Sequence, residues 1–441
     1  MSFRTSSAAL LSTLCFAIAA GACGGIAPSS PRETSPPEGD PPVTAIVVAP
    51  DPGAPSTPAP KYPIGPYTGA VATTDVSILY PLAASAGSAA IVRPVASGAH
   101  GELLSRATFE TVLGGNNRLD GTARVTGFDA LGLVSVRLDP CSRRGSGGDG
   151  ACLSEVRMVF QELFDKLPNE GPDTSSGTAA TDGAIHVVYD VPQEELVTML
   201  RQLLTLKKAN GDLGLQQLSP HPILAAQGLG GAFGQGLRGI LLEHLGDDRI
   251  ARVTFFDHQD LEMDVWNFGV FDRSPSTGTF NPITIPTTTS VMQQFSGSNT
   301  AGPLLQSFAQ TSVPTTSSDS LALLLDSARP APGTPSVASL QPTLDAALRL
   351  QNPKLRNVET TDCVSCHQAE GASQIGENVY ALSTSSAFTH SRSLARVDER
   401  TSVTNVHAFG YLRRQVSIMQ RTANESVLVA DQMEQLLAPP K

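Results

Sequence analysis

Apolar positions along the chain follow two different periods. Short runs rich in β-branched and aromatic residues at 75–79, 134–138, 156–160, 184–189 and 250–256 predict strands. The stretch 192–209 switches to a helical period, with Leu196, Met199, Leu200, Leu203 and Leu204 on one stripe. Pro192 suits the first helical position, Glu194 and Glu195 favour the first turn, and Lys207 and Lys208 precede the stop at Gly211. Strands followed by a helix of this kind predict an α+β domain over residues 71–295. Trp266, Phe268 and Phe271 read as core, and His186, on a strand pattern, as a structural residue rather than a ligand. Gly234-Gln235-Gly236-Leu237-Arg238-Gly239 fits a dinucleotide-binding spacing. Pro220-His221-Pro222 leaves no room for the strand that motif needs, so the expectation is a glycine-rich loop feeding a short helix.

Thr, Ser, Pro and Gly dominate 273–318, and a connector with one short helix at 319–328 is placed at residues 296–339. Helices are then expected at 342–350 and at the C-terminus. There Thr422-Ala423-Asn424-Glu425 reads as a capping box, and Val427, Ala430, Met433 and Leu437 recur on one face.

The first 70 residues have a different character. Arg4, an apolar run at 8–20 and the small residues Ala20-Gly21-Ala22 read as an export signal at 1–22. Cys23 then stands where a bacterial lipoprotein is acylated, with Ala20 in place of the commoner Leu. Thirteen prolines between 27 and 66 exclude helix and central strand, so 23–70 is expected to be a tether to a lipid bilayer. No other stretch approaches 18 consecutive apolar residues, so no second span is expected. Thirty basic against 41 acidic side chains leave a net charge of −11, which argues against nucleic acid and against electrostatic binding to anionic lipid. In an exported chain, Cys141 and Cys152, bracketing a Gly- and Ser-rich loop, are expected to form a disulfide.

The strongest chemical signal is Cys363-Val364-Ser365-Cys366-His367. Two cysteines three apart lie on one side of a helical turn, and a histidine directly after them can reach under a porphyrin bonded to both. This stretch resembles the attachment signature of the cytochrome c family. The resemblance implies haem c held by Cys363 and Cys366, His367 as the proximal iron ligand, and an all-α cytochrome c-like domain at 340–441. It also implies a second axial ligand downstream. Met419, ahead of the terminal helix, is the candidate, and His407, beside Phe409 and Tyr411, is the runner-up; Met433 reads as core and His390 as solvated. The chain is thus expected to be multidomain and lipid-anchored in the cell envelope, carrying electrons to or from a redox partner protein rather than acting as a catalyst. A binding or adhesion lipoprotein without functional haem is the alternative, and a haem peroxidase a third.

Overall fold

A computed structural model of the chain describes residues 71–114, 127–142, 152–166, 177–211, 218–260, 265–296, 308–309, 337–356, 359, 361–392 and 406–438. The export signal, Cys23, the Pro-rich stretch and the helix expected at 319–328 lie outside the described residues. Among the described residues no helix is long and apolar enough to cross a membrane.

A helical turn, α1 (Thr73–Val76), runs into β1 (Ser77–Leu79). The small pair β2 (Ser97–Gly98) and β3 (Gly101–Glu102) and the turn α2 (Arg106–Phe109) precede two long strands, β4 (Leu131–Ser142) and β5 (Leu153–Lys166). Next come β6 (Gly177–Ala180), β7 (Ala184–Asp190), α3 (Gln193–Ala209), α4 (Pro222–Gln227) and α5 (Ala232–His244). Then follow β8 (Ile250–Asp260), β9 (Val265–Arg273), β10 (Phe280–Pro282), β11 (Met292–Ser296) and β12 (Phe308–Ala309). The C-terminal part holds α6 (Val337–Leu350), α7 (Cys363–Asn378), the hairpin β13 (Phe409–Leu412) and β14 (Gln415–Ile418), and α8 (Gln420–Leu437). Ten strands make one antiparallel sheet in the order β1-β4-β5-β7-β8-β9-β11-β12, with β6 on β5 and β10 on β9. A disulfide joins Cys141 at the end of β4 to Cys152 before β5.

Alternation sorts the side chains of the sheet onto two faces. Val136, Leu138, Val156, Met158, Phe160, Val187, Tyr189 and Val253 share one core with Leu196, Met199, Leu200 and Leu203 of α3 and Phe233, Leu237, Ile240 and Leu241 of α5. The glycine motif lies inside α5 and not in a loop, which corrects the expectation from its sequence. A Cβ on Gly236 would come within 2.5 Å of Leu206 Cδ1, and one on Gly234 within 2.2 Å of the Leu229 carbonyl oxygen. These glycines are small so that α5 can sit close to its neighbours, which outweighs their helix propensity cost of about 1 kcal/mol each.

The all-α C-terminal domain is overturned. Beyond Leu340 the chain contains the β13–β14 hairpin, and its apolar residues enter the sheet's second core: Val364, Ala369, Ala372, Val406, Phe409, Tyr411, Ile418 and Ala423 pack with Val134, Val159, Phe256, Trp266, Phe268 and Phe295. Val429, Ala430 and Met433 of α8 join the first core. Polar groups fasten the same segment down. The Gln161 amide accepts from Tyr411 N–H at 2.8 Å and donates to Tyr411 C=O at 2.8 Å, acting as a substitute strand for β13. Ser135 Oγ donates to Phe409 C=O at 2.8 Å. The expected capping box is not used either. α8 starts three residues earlier, after Met419, and Glu425 is drawn into ion pairs with Arg137 and Arg356.

Two buried polar features tie α3 and α4 to the start of the domain. Lys207, in the last turn of α3, is buried and pairs with Asp75 of α1 at 2.9 Å. Removing one partner strands a charge in the core. Asp75→Asn should therefore cost about 3–5 kcal/mol in urea unfolding, and adding Lys207→Met should recover a large part of that loss. His221, before α4, is buried, stacks on Phe233 with ring centroids 4.7 Å apart, and has its pKa lowered to about 4 by burial and, less, by Lys207. The folded protein thus keeps this ring neutral where the unfolded chain, near its ordinary 6.5, already binds a proton. Its contribution is full above pH 6.5 and is lost as pH falls towards 4. His221→Gln should flatten the acid loss of unfolding free energy in that window by up to about 1.4 kcal/mol per pH unit, read from urea curves at successive pH values.

Candidate functional site

Asp362 determines where the cysteine motif begins. Its carboxylate accepts from Ser365 N–H at 3.0 Å, the N-cap interaction that starts α7, and it also accepts from Ser365 Oγ. Gln293 of β11 completes the clamp. Its amide nitrogen donates to Asp362 Oδ2 at 2.9 Å and its oxygen accepts from Val364 N–H at 3.0 Å, so the helix end is bonded to the sheet. Cys363 is then the first helical residue and Cys366 the fourth, one turn apart on the side facing the sheet's second surface. At the far side of α7, Glu370 accepts from Gln351 at 3.1 Å and from the backbone of Gln420 at 2.8 Å, joining α6, α7 and α8.

Cys363, Cys366 and His367 line a cleft between α7 and the sheet. Its floor is a cross-strand grid. Arg137 on β4 is opposite Arg157 on β5, Arg157 opposite Val188 on β7, Val188 opposite Arg252 on β8, and Arg252 opposite Asp272 on β9. The neighbouring row runs Ser135, Val159, His186, Thr254 and Val270. Phe256 and Phe268 form the apolar end, with ring centroids 5.5 and 5.2 Å from that of His367. Like charges opposite one another are unfavourable, and two of the row's three arginines are answered in full. Arg137 pairs with Glu425, and Arg252 takes Asp272 with two nitrogens and Glu359 with a third at 3.0 Å. Burial, then the neighbouring Arg157, lowers the Arg137 guanidinium to about 9.

His367 Nδ1 donates to Val406 C=O at 2.6 Å, which directs Nε2 away from the backbone. Burial and the Arg421 charge hold its ring well below the ordinary pKa, so it is neutral. Burial also pushes the Cys363 thiol up, with Asp362 adding to the shift. Cys366 Sγ instead accepts from Arg421 Nη1 at 2.7 Å and lies 3.7 Å from Arg356 Nη1. Both cysteines are free thiols.

The other expected ligands are placed elsewhere. Met419 is fully buried at the cap of α8, its N–H bonded to Ala408 C=O, and it is not among the residues lining the cleft. His407 is buried with its ring edge-on to Phe256 at 5.1 Å, also behind the lining. His390, expected in solvent, pairs with Asp431 at 2.9 Å. The residue that sequence reasoning passed over is His186, which lines the cleft and is held to about pKa 3 by burial and, secondarily, by Arg157 and Arg421. Its signal was only a histidine in a strand pattern, which says nothing about which face it takes. Among the described residues, no three His, Cys, Asp or Glu side chains group to hold a bare metal ion.

Because Asp362 both caps α7 and accepts from Gln293, Asp362→Ala should lower stability by about 1–2 kcal/mol in chemical unfolding and loosen the helix end. Faster amide exchange at Val364 and Ser365, with that of α3 unchanged, would be the local sign. Compared with models of known protein families, with curated proteins and with solved structures, the chain matches none.

Proposed function

We propose that the cleft holds a covalently attached haem c and that the protein carries electrons outside the cytoplasm. One observation carries this reading: both cysteines and the histidine of the motif open onto a single cleft, with the histidine's Nδ1 already tied to a backbone carbonyl. That hydrogen bond fixes the tautomer in which Nε2 is the free ligand atom, as iron ligation from the proximal side requires. Cys363 and His367 are partly exposed, so the motif lies at the mouth, where a porphyrin edge can enter. Phe256 and Phe268 supply an apolar, water-excluding wall, and His186 a second neutral imidazole on the sheet side. The residues therefore fit the group. When bound, haem c supplies a reversible one-electron iron couple. The chain's part is to hold it by two thioether bonds, keep His367 neutral, and present the mouth to a redox partner.

The setting of this carrier is the one the cytochrome c resemblance implies only in its motif, since the cleft is built on a β-sheet rather than inside a helical domain. The export signal, Cys23 and the Pro-rich tether support a lipid-anchored position in the cell envelope. With a net charge of −11, a basic or neutral partner surface is favoured.

Protein purified from a host with c-type haem maturation should give a pyridine haemochrome spectrum of covalent haem, one per chain. Cys363→Ala together with Cys366→Ala should abolish covalent attachment, and His367→Ala should alter the spin state of the retained haem. A wild-type protein that is colourless, with two titratable thiols, would overturn the reading in favour of a dithiol or binding role.

A further inference from the structure

The charge of the cleft is the reverse of the protein's. The chain carries −11, yet Arg137, Arg157, Arg252, Arg356 and Arg421 line the cleft against three carboxylates, Glu359, Asp362 and Glu425. Five buried or half-buried guanidiniums in one site need acceptors, and following their donors shows which lack them. Arg137 is committed: besides Glu425, it donates to Ser77 Oγ, Thr422 C=O and Ser426 Oγ at 2.9–3.2 Å. Arg252 is committed to Asp272 and Glu359.

The other three are not. Arg157 donates through one nitrogen to Glu155 at 2.9 Å, and its side chain keeps 30% of its exposure, towards the cleft. Arg356 is bonded to Glu425, but its Nε is buried with no partner. The Nε of Arg421 is likewise buried and without a partner. Both of these arginines turn an Nη1 to Cys366 Sγ, a weak acceptor unless ionised. Arg356 is lowered to about 10, by burial first and, against an opposing effect of Cys366, by the charges of Arg421, Arg157 and Arg137, so these cations are close enough to repel one another.

We propose that Arg157, Arg356 and Arg421 form a seat for a carboxylate or small oxyanion. Guanidinium forks match planar carboxylate and tetrahedral oxyanion geometry with paired N–H donors, and one anion against the cleft side of these three cations would answer guanidiniums that lack acceptors of their own. The seat does not depend on haem attachment, because every group in it belongs to the polypeptide. Its natural occupant is either a carboxylate carried by a cofactor in the same cleft or a free anion, and the two sources are separable.

Isothermal titration with inorganic phosphate at low ionic strength tests the seat on two full-length proteins: the Cys363→Ser/Cys366→Ser variant, which cannot attach haem, and the wild type from a haem-maturing host. Phosphate should bind the first with 1:1 stoichiometry. Arg157→Gln in that background should weaken binding at least 10-fold, while Arg106→Gln, at an exposed arginine outside the cleft, should not change it. Arg157 keeps 30% side-chain exposure against 10% for Arg356, and an unchanged thermal transition without phosphate verifies that its variant folds. Binding to the haem-free protein alone assigns the seat to the cofactor's carboxylates; binding to both proteins assigns it to a free anion. No binding to either, or binding that Arg157→Gln leaves unchanged, overturns the proposal.

Discussion

An antiparallel sheet buried on both faces needs two covers, and in this protein the second face sets polar and charged side chains among its apolar ones. Ser135, Arg137, Gln161, Arg157 and Arg252 all project from strands whose opposite faces are almost purely hydrophobic. A layer that covers such a surface must bring acceptors and donors with it, since unmet buried polar groups cost more than the apolar contacts around them return. The C-terminal segment does so residue by residue: Glu425 for Arg137, Glu359 for Arg252, and the backbone of Phe409 and Tyr411 for Ser135 and Gln161. This requirement makes the last hundred residues part of the sheet's architecture.

The cysteine motif inherits its position from that docking. Its helix is capped by Asp362, but Asp362 is itself gripped by Gln293 from β11, so the first turn of α7 cannot shift without disturbing the sheet. The turn therefore presents two thiols and an imidazole to a cleft whose other wall comes from five strands. Loops carrying reactive groups are usually held by a rigid scaffold, and here the scaffold also supplies much of the site. The cleft combines an aromatic end, at Phe256 and Phe268, with a cationic floor at Arg137, Arg157 and Arg252.

Some local patterns were read correctly in kind and misread in setting. The α3 helix is where its stripe places it, with a stop beyond Asn210, and the fold buries its last-turn Lys207 against Asp75, a partnership no local pattern announces. The glycines of the GxGxxG spacing are helical because close packing against Leu206 and Leu229 rewards the missing side chains. The capping box of α8 yields because Glu425 gains more from two buried guanidiniums than from one backbone N–H.

The sequence by itself determined five of the sheet's ten strands, the helix α3 and the terminal helix, because side-chain period is a local property that each segment expresses alone. It also singled out Cys363, Cys366 and His367, because their chemistry depends on spacing within one helical turn. Only the tertiary structure decided that the C-terminal segment is a cover and not a domain, that His186 rather than Met419 or His407 lines the cleft, and that five arginines meet there. Those arginines come from positions as far apart as 137 and 421, and charges so separated along the chain acquire a common function only when cross-strand register and docking bring them onto one face.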